Sequence, residues 1–214
     1  MWSNKTLPID LITDYVRCTY DLQHDFKLEA FRDSLSDGQI NSKLWLIENL
    51  KFLNASQQFC FSNKRIGVFG GWVGILCRFL FEYLDESLEI DNIDIDPSLS
   101  NINYTLNHKY GNRFRFKNED MFNLDYSKNV YDIYINTSGE HVKPLSRWIE
   151  NIPKDKLVVI QSNNYFSHDQ HINCVKDIDE LVDKVNEAKN LKRIISSDTL
   201  KLPIYSRFMV IGTT

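Results

Sequence analysis

The sequence predicts an α/β fold of three layers, with a mostly parallel sheet between helices, an antiparallel hairpin at its C-terminal end and helices ahead of it. Three observations carry this expectation. Short apolar runs (RIGVF, YDIYIN, LVVIQSNNY) alternate with stretches whose apolar residues recur every three or four positions, the pattern of strands feeding crossover helices. The first run enters a glycine turn, GGWVG, that opens a helix, and a glycine there permits a sharp turn and close backbone approach. The chain ends in LKRIISSDTLKL and YSRFMVIGT with Pro203 between them, which read as two strands joined by a turn.

Taken in order, residues 7–35 are helical in character, since Leu28, Phe31 and Leu35 share one face and Pro8 is tolerable in a first turn. Asp37 and Gly38 signal a turn, and Ser42 is expected to cap a second helix with Leu46, Leu50 and Leu53 on one side. Tyr15, Tyr20, His24 and Trp45 can line a pocket, although core packing is the commoner fate of such residues. A β-α-β unit spans residues 65–97. Its helix carries Ile75, Leu76, Phe79, Leu80, Tyr83 and Leu84 in a broad apolar stripe, and its second strand is EIDNIDIDP. Asp96 and Pro97 read as cap and first helical residue of the next helix, with Leu99, Ile102 and Leu106 facing inward. RFRF at 113–116 is a short strand, as is YDIYIN at 131–136. Leu145, Trp148, Ile149 and Ile152 mark a short helix before Pro153. The continuous apolar run at 157–165 predicts a buried, central strand. Asp177 is the expected cap of a helix bearing Ile178, Leu181, Val182 and Val185. We therefore expect a helical extension over 1–60 packed on a ligand-binding domain over 61–214.

A chain of 214 residues that is 43% hydrophobic can bury one substantial core. A net charge of −4 disfavours a nucleic-acid partner, which calls for a basic face. No apolar run reaches the roughly 20 residues that span a bilayer, and MWSNKTLPIDL lacks the basic and apolar blocks of a signal peptide. A soluble, cytoplasmic protein acting on a small molecule is expected, its oligomeric state open. Cys18, Cys60, Cys77 and Cys174 form no paired motif and read as buried free thiols.

Gly70, Gly71 and Gly74 stand where a buried strand turns into a helix, and Asp94 follows Gly70 by 94 − 70 = 24 positions. That is close to the roughly 20-residue offset at which an acid at the second strand's tip reaches a ribose. A nucleoside-bearing ligand follows. On these residues and the terminal hairpin, the chain from Arg65 onward resembles the class I S-adenosylmethionine-dependent methyltransferases, whose Rossmann-like sheet inserts an antiparallel last strand beside the fifth. The resemblance implies S-adenosylmethionine (SAM) as cofactor. It places the backbone of Gly70, Gly71, Trp72 and Gly74 against the methionine part, Asp94 with Ile95 at the ribose, Asp120 at the adenine amine and Met121 against the ring. It also puts the methyl-transfer pocket at residues 136–141.

Val68 stands where the family commonly carries an acid and Trp72 where it carries a central glycine, and Asn136 is not followed by the Pro-Pro-Tyr of nucleobase amino-methylating enzymes. Transfer from a sulfonium needs mainly alignment, with a base only for a protonated acceptor. His141, Glu140 and Asn136 are the catalytic candidates, His141 because its ordinary pKa lets it take a proton at neutral pH. The alternatives are a Glu140 that merely opens a helix, a structural His141 and an Asn136 that closes a strand end. Asn163 and Tyr165, with Asn164 and His168 nearby, are candidate substrate contacts or simply a hydrated loop. His168 and His171 have a spacing that suits a metal on a helix, but no third ligand lies near in sequence, so no metal is expected. A methyl transfer to an O or N of a small molecule is the leading reading. Aminocarboxypropyl or aminopropyl transfer or elimination, and a non-catalytic nucleoside-binding module, are its rivals. A nicotinamide enzyme fits less well, because the turn is not G-x-G-x-x-G.

Overall fold

The computed structural model describes residues 9–21, 27–128 and 130–214. Leu7, Pro8 and His24 lie outside the described residues. Helices α1 (Ile9–Asp21), α2 (Lys27–Ser34) and α3 (Asp37–Ala55) come first, and the first two lie within the expected helical stretch. Strands β1 (Arg65–Phe69), β2 (Glu89–Asp94), β3 (Phe114–Asn118), β4 (Ile133–Asn136) and β5 (Leu157–Asn163) follow. Helices α4 (Ile75–Tyr83), α5 (Ser100–Asn107), α6 (Leu145–Glu150) and α7 (Ile178–Asn186) connect them or flank them. The hairpin of β6 (Arg193–Lys201) and β7 (Ser206–Thr213) closes the chain. The seven strands form one sheet in the order β3-β2-β1-β4-β5-β7-β6. The first five are parallel, and β7 runs antiparallel to both β5 and β6. β5 is buried along its whole length but lies one strand from the middle, which β4 occupies.

Alternation along the strands separates two cores. Ile66, Val68, Ile133, Ile135, Val159 and Ile211 face α3, α4 and α5, whereas Phe69, Tyr134, Val158, Ile160 and Val210 face α6 and α7. This two-sided burial is why the parallel strands read as continuous apolar runs. α1 packs on α5, and α3 on α4, over the first core. Among the described residues, no helix is long and apolar enough to cross a membrane.

Two local expectations are corrected. Asp37 and Gly38 do not form a turn: they begin α3, with Ser36 in the cap position. Ser42 is therefore inside the helix, buried, and its hydroxyl donates to Gln161 Oε1 at 3.2 Å, across 119 residues of sequence. Burial with a distant partner, rather than a terminal N–H, satisfies it. Asp96 and Asp177 do cap their helices, accepting from the backbone N–H of Ser98 and Glu180, each at 2.9 Å.

Candidate functional site

The parallel strands deliver their carboxyl ends to one edge of the sheet, where the order reverses between β1 and β4, the place such sheets offer a ligand. β1 runs into the glycine turn there. Gly70 (φ 62°), Trp72 (φ 52°) and Gly74 (φ 80°) are left-handed, whereas Gly71 is not. Trp72 thus takes the conformation expected of the missing central glycine, which costs a residue with a Cβ on the order of 1 kcal/mol. Hydrogen bonds hold it there. Its N–H donates to Asp94 Oδ2 at 2.9 Å, and its carbonyl accepts from the side-chain amides of Asn92 (3.1 Å) and Asn103 (2.8 Å).

The glycines differ in purpose. A Cβ on Gly71 would sit 1.6 Å from Asn92 Oδ1, so this glycine admits a polar side chain from the buried strand beside it. A Cβ on Gly74 would meet Asn103 Oδ1 at 2.2 Å, so its open side faces α5. Only Gly70 looks toward the mouth: the nearest atoms to a Cβ there belong to Ser138 (3.4 Å) and Met121 (3.7 Å). Ser138 Oγ donates to the Gly70 carbonyl at 3.0 Å, tying the loop after β4 to the glycine turn.

Asp94 ends β2 as expected. Burial pushes its carboxyl above the usual range, opposed by the N–H donors of Asp96 and Trp72. Ile95 is exposed beside it. Asp120, after β3, accepts from Phe122 N (2.9 Å) and Asn123 Nδ2 (3.0 Å) in a tight turn that presents Met121. Asn136 is fully buried at the end of β4. Its Oδ1 accepts from Ser138 N at 2.8 Å, and its amide nitrogen lies 3.7 Å from Met121 Sδ. Val68 is buried in the first core and offers no charge to the mouth.

The candidate catalytic pair separates on burial. Glu140 and His141 share a 3₁₀ turn, Gly139–His141, so Glu140 does not open an α-helix. Glu140 is 4% exposed, and its Oε1 accepts from Asn163 Nδ2 at 2.7 Å and from Arg207 Nη2 at 3.3 Å, while its Oε2 has no hydrogen-bond partner. Asn163 is buried, and its Oδ1 accepts from Tyr165 N (2.9 Å) and from the Cys174 thiol (3.4 Å). These contacts let it organise the loop from inside. Tyr165 is half-buried, with its ring 5.6 Å from that of Tyr205 and 5.9 Å from that of His171. The segment between β5 and α7 is not helical, so the spacing of His168 and His171 does not act through a helix. Their rings stack instead at 4.6 Å.

Arg207 and Lys43 escaped notice in the sequence. Arg207 is a buried cation at the start of an apolar strand, and that misfit is the signal that could have found it. Lys43, on α3, is 8% exposed, and burial pushes its ammonium down to about 7, helped by Arg207 and opposed by Asp33 and Glu140. Above that value the folded protein releases the proton that the unfolded chain still holds, so stability rises with pH until the unfolded lysine also titrates. Urea unfolding at pH ~8.5 should give about 1–2 kcal/mol more stability than at pH ~7, and Lys43→Met should remove that gain.

A cavity at the far end of α4, lined by Phe81, Glu82, Lys109, Tyr110 and Arg113, is remote from the glycine turn. Its charges are already matched, since Glu82 pairs with Arg78 and Lys109 and accepts from the Tyr110 hydroxyl.

The strand order, the glycine turn between β1 and α4 and the antiparallel β7 define the fold of the class I SAM-dependent methyltransferases. The chain is similar to magnesium protoporphyrin IX methyltransferase (ChlM) from Synechocystis PCC 6803 with bound SAH: TM-score 0.66 at 13% identity, covering 94% of this chain and 99% of that one. It is also similar to the N-methyltransferase NodS from Bradyrhizobium japonicum WM9, with TM-score 0.60 at 11% identity over 81% and 97% of the two chains. Phosphoethanolamine N-methyltransferase 2 of Haemonchus contortus gives TM-score 0.59 at 10% identity, over 86% of this chain and 58% of that one. No family model matches the sequence, and no curated protein does. At these identities the likeness is one of fold.

Proposed function

We propose that this protein transfers the methyl group of SAM to an oxygen or nitrogen of a small-molecule acceptor. The observation that carries this reading is the junction at Gly70: glycine turn, Met121 and the loop after β4 meet around one left-handed glycine at the carboxyl edge of the sheet. Similar folds with bound SAH or SAM support it. The donor set fits an adenosyl compound, because Asp94 keeps unused acceptor capacity for a ribose after accepting two N–H groups, and Asp120 and Met121 offer an acceptor and a soft flat contact for an adenine. Gly70, Gly71, Trp72 and Gly74 shape the backbone that takes the methionine part. When bound, the sulfonium supplies an activated methyl group. The chain's share is to hold the acceptor in line and keep water out, with Asn136 stiffening the pocket wall and Tyr165 at its rim.

His141 is exposed and its Nδ1 contacts the Gln170 carbonyl at 2.9 Å, so the proton sits on Nδ1 and the Nε2 lone pair is available to a proton or an ion. Glu140, braced by Asn163 and Arg207, fixes the turn that carries it.

Calorimetric titration tests the cofactor. Asp94→Ala should weaken SAM binding more than tenfold, about 1.4 kcal/mol or more for a lost charged hydrogen-bond pair. Asp94→Asn, which keeps an acceptor for Trp72 N, separates ribose loss from loosening of the turn. Unchanged affinity in both variants removes the assignment. One observation favours a second SAM chemistry: Val68 leaves the amino end without the usual carboxylate. Product analysis decides, since methylthioadenosine in place of adenosylhomocysteine identifies transfer of the propyl part.

A further inference from the structure

We propose that Glu140, His141 and His171 form a site for one divalent transition-metal ion. One donor atom from each lies within 4.8 Å of the other two, although His171 follows His141 by 171 − 141 = 30 positions. Zinc-like ions hold tetrahedral ligands at roughly 2.0–2.2 Å, which puts the donors ~3.5 Å from one another, so closing the set takes a shift of up to about 1.3 Å. His141 is exposed and His171 half-buried, so rotation of the two side chains has room to supply it while the turn stays fixed.

Three further features suit an ion. First, both imidazoles are oriented through Nδ1 by backbone carbonyls, His141 by Gln170 at 2.9 Å and His171 by Tyr165 at 2.7 Å. A carbonyl only accepts, so Nδ1 carries the proton and Nε2 keeps the lone pair, the tautomer that outer carbonyls impose on metal-binding histidines. Second, Glu140 is 4% exposed, yet its Oε2 has no hydrogen-bond partner, an expensive state for a buried carboxylate oxygen. Arg207 and Asn163 occupy only Oε1, so a second cation can take the remaining oxygen. Third, two imidazoles and one carboxylate are the ligand chemistry of zinc, cobalt, iron or manganese, not of magnesium or calcium, which prefer all-oxygen sets.

Three protein ligands leave coordination positions open for water or for an acceptor oxygen. The loop that carries two of them is tied to Gly70 through Ser138, so such an ion borders the same mouth. An ion there would use the His141 lone pair as a ligand and would supply positive charge that lowers the acceptor's pKa, the released proton passing to solvent at the exposed His141 edge. The site stands on its own geometry and does not require the methyl-transfer reading.

The test is a titration of the EDTA-treated full chain with cobalt chloride, read by visible absorption. One Co²⁺ per chain is expected, with both His141→Ala and His171→Ala weakening it at least tenfold. Cys60→Ser should leave binding unchanged, which excludes capture by the exposed thiol. Thermal unfolding in EDTA checks that His141→Ala, altered at an exposed position, remains folded. No saturable Co²⁺ binding, or a folded His141→Ala that binds as the wild type does, overturns the proposal. A parallel SAM titration in EDTA reports on the cofactor alone, so failure of one reading is distinguished from failure of the other.

Discussion

Replacing Arg207 by Met should destabilise the protein by about 3–5 kcal/mol, because it leaves the Glu140 carboxylate buried with its counter-charge gone. Both side chains are nearly closed to solvent, at 3% and 4% exposure, so water cannot take over the lost contact. The guanidinium also donates to the Thr137 carbonyl, so its removal frees the loop that follows β4 as well as the acid. Urea unfolding in EDTA measures the loss without interference from metal. The double variant Glu140→Gln with Arg207→Met removes both charges, and it should be less destabilised than Arg207→Met alone. A buried pair contributes little beyond what its own desolvation costs, whereas a single buried charge is strongly unfavourable. An Arg207→Met protein within about 1 kcal/mol of the wild type would show that Glu140 finds other compensation.

Gly71→Ala should cost about 3 kcal/mol or more and weaken SAM binding with it. The added methyl would lie 1.6 Å from Asn92 Oδ1 and 2.9 Å from a Val68 methyl, both in the buried sheet. Neither neighbour can yield cheaply. Asn92 is fully buried and donates to the Trp72 carbonyl and to Asn103 Oδ1 (2.6 Å), so displacing it unlocks the Trp72 backbone, whose N–H holds Asp94. The clash therefore reaches the candidate ribose site through two hydrogen bonds. Chemical denaturation gives the stability loss and calorimetry the affinity loss. Gly111→Ala is the control: that glycine, unlike Gly71, has positive φ, but nothing lies within 4 Å of an added Cβ, so only backbone strain of about 1–3 kcal/mol is expected, with SAM affinity unchanged.

The element order was legible because it rests on short-range rules. Period-two and period-3.6 hydrophobicity located β1, α4, β5 and α7 to within a residue or two, and the Asp96 and Asp177 caps act within three residues of themselves. The misjudged start of α3 has a local cause: Asp37 and Gly38 are turn formers in isolation, and burial of Ile40, Leu46 and Leu50 on the sheet overrides them. Two glycines have a further reason to be glycine that was not legible. What makes Gly71 and Gly74 necessary is the arrival of Asn92 and Asn103 from other elements, which no window around the turn contains.

By itself, then, the sequence determined the order of strands and helices, the glycine turn after β1 and the acids at the strand tips. Each depends on residues within a few positions of one another. Only the tertiary structure decided that Glu140 faces Arg207 across 67 residues, that Asn163 is an internal brace and that His171 comes to His141. The physical reason is desolvation: whether a charged or polar side chain is a solvated loop residue or a buried member of a cluster depends on what the rest of the chain packs around it.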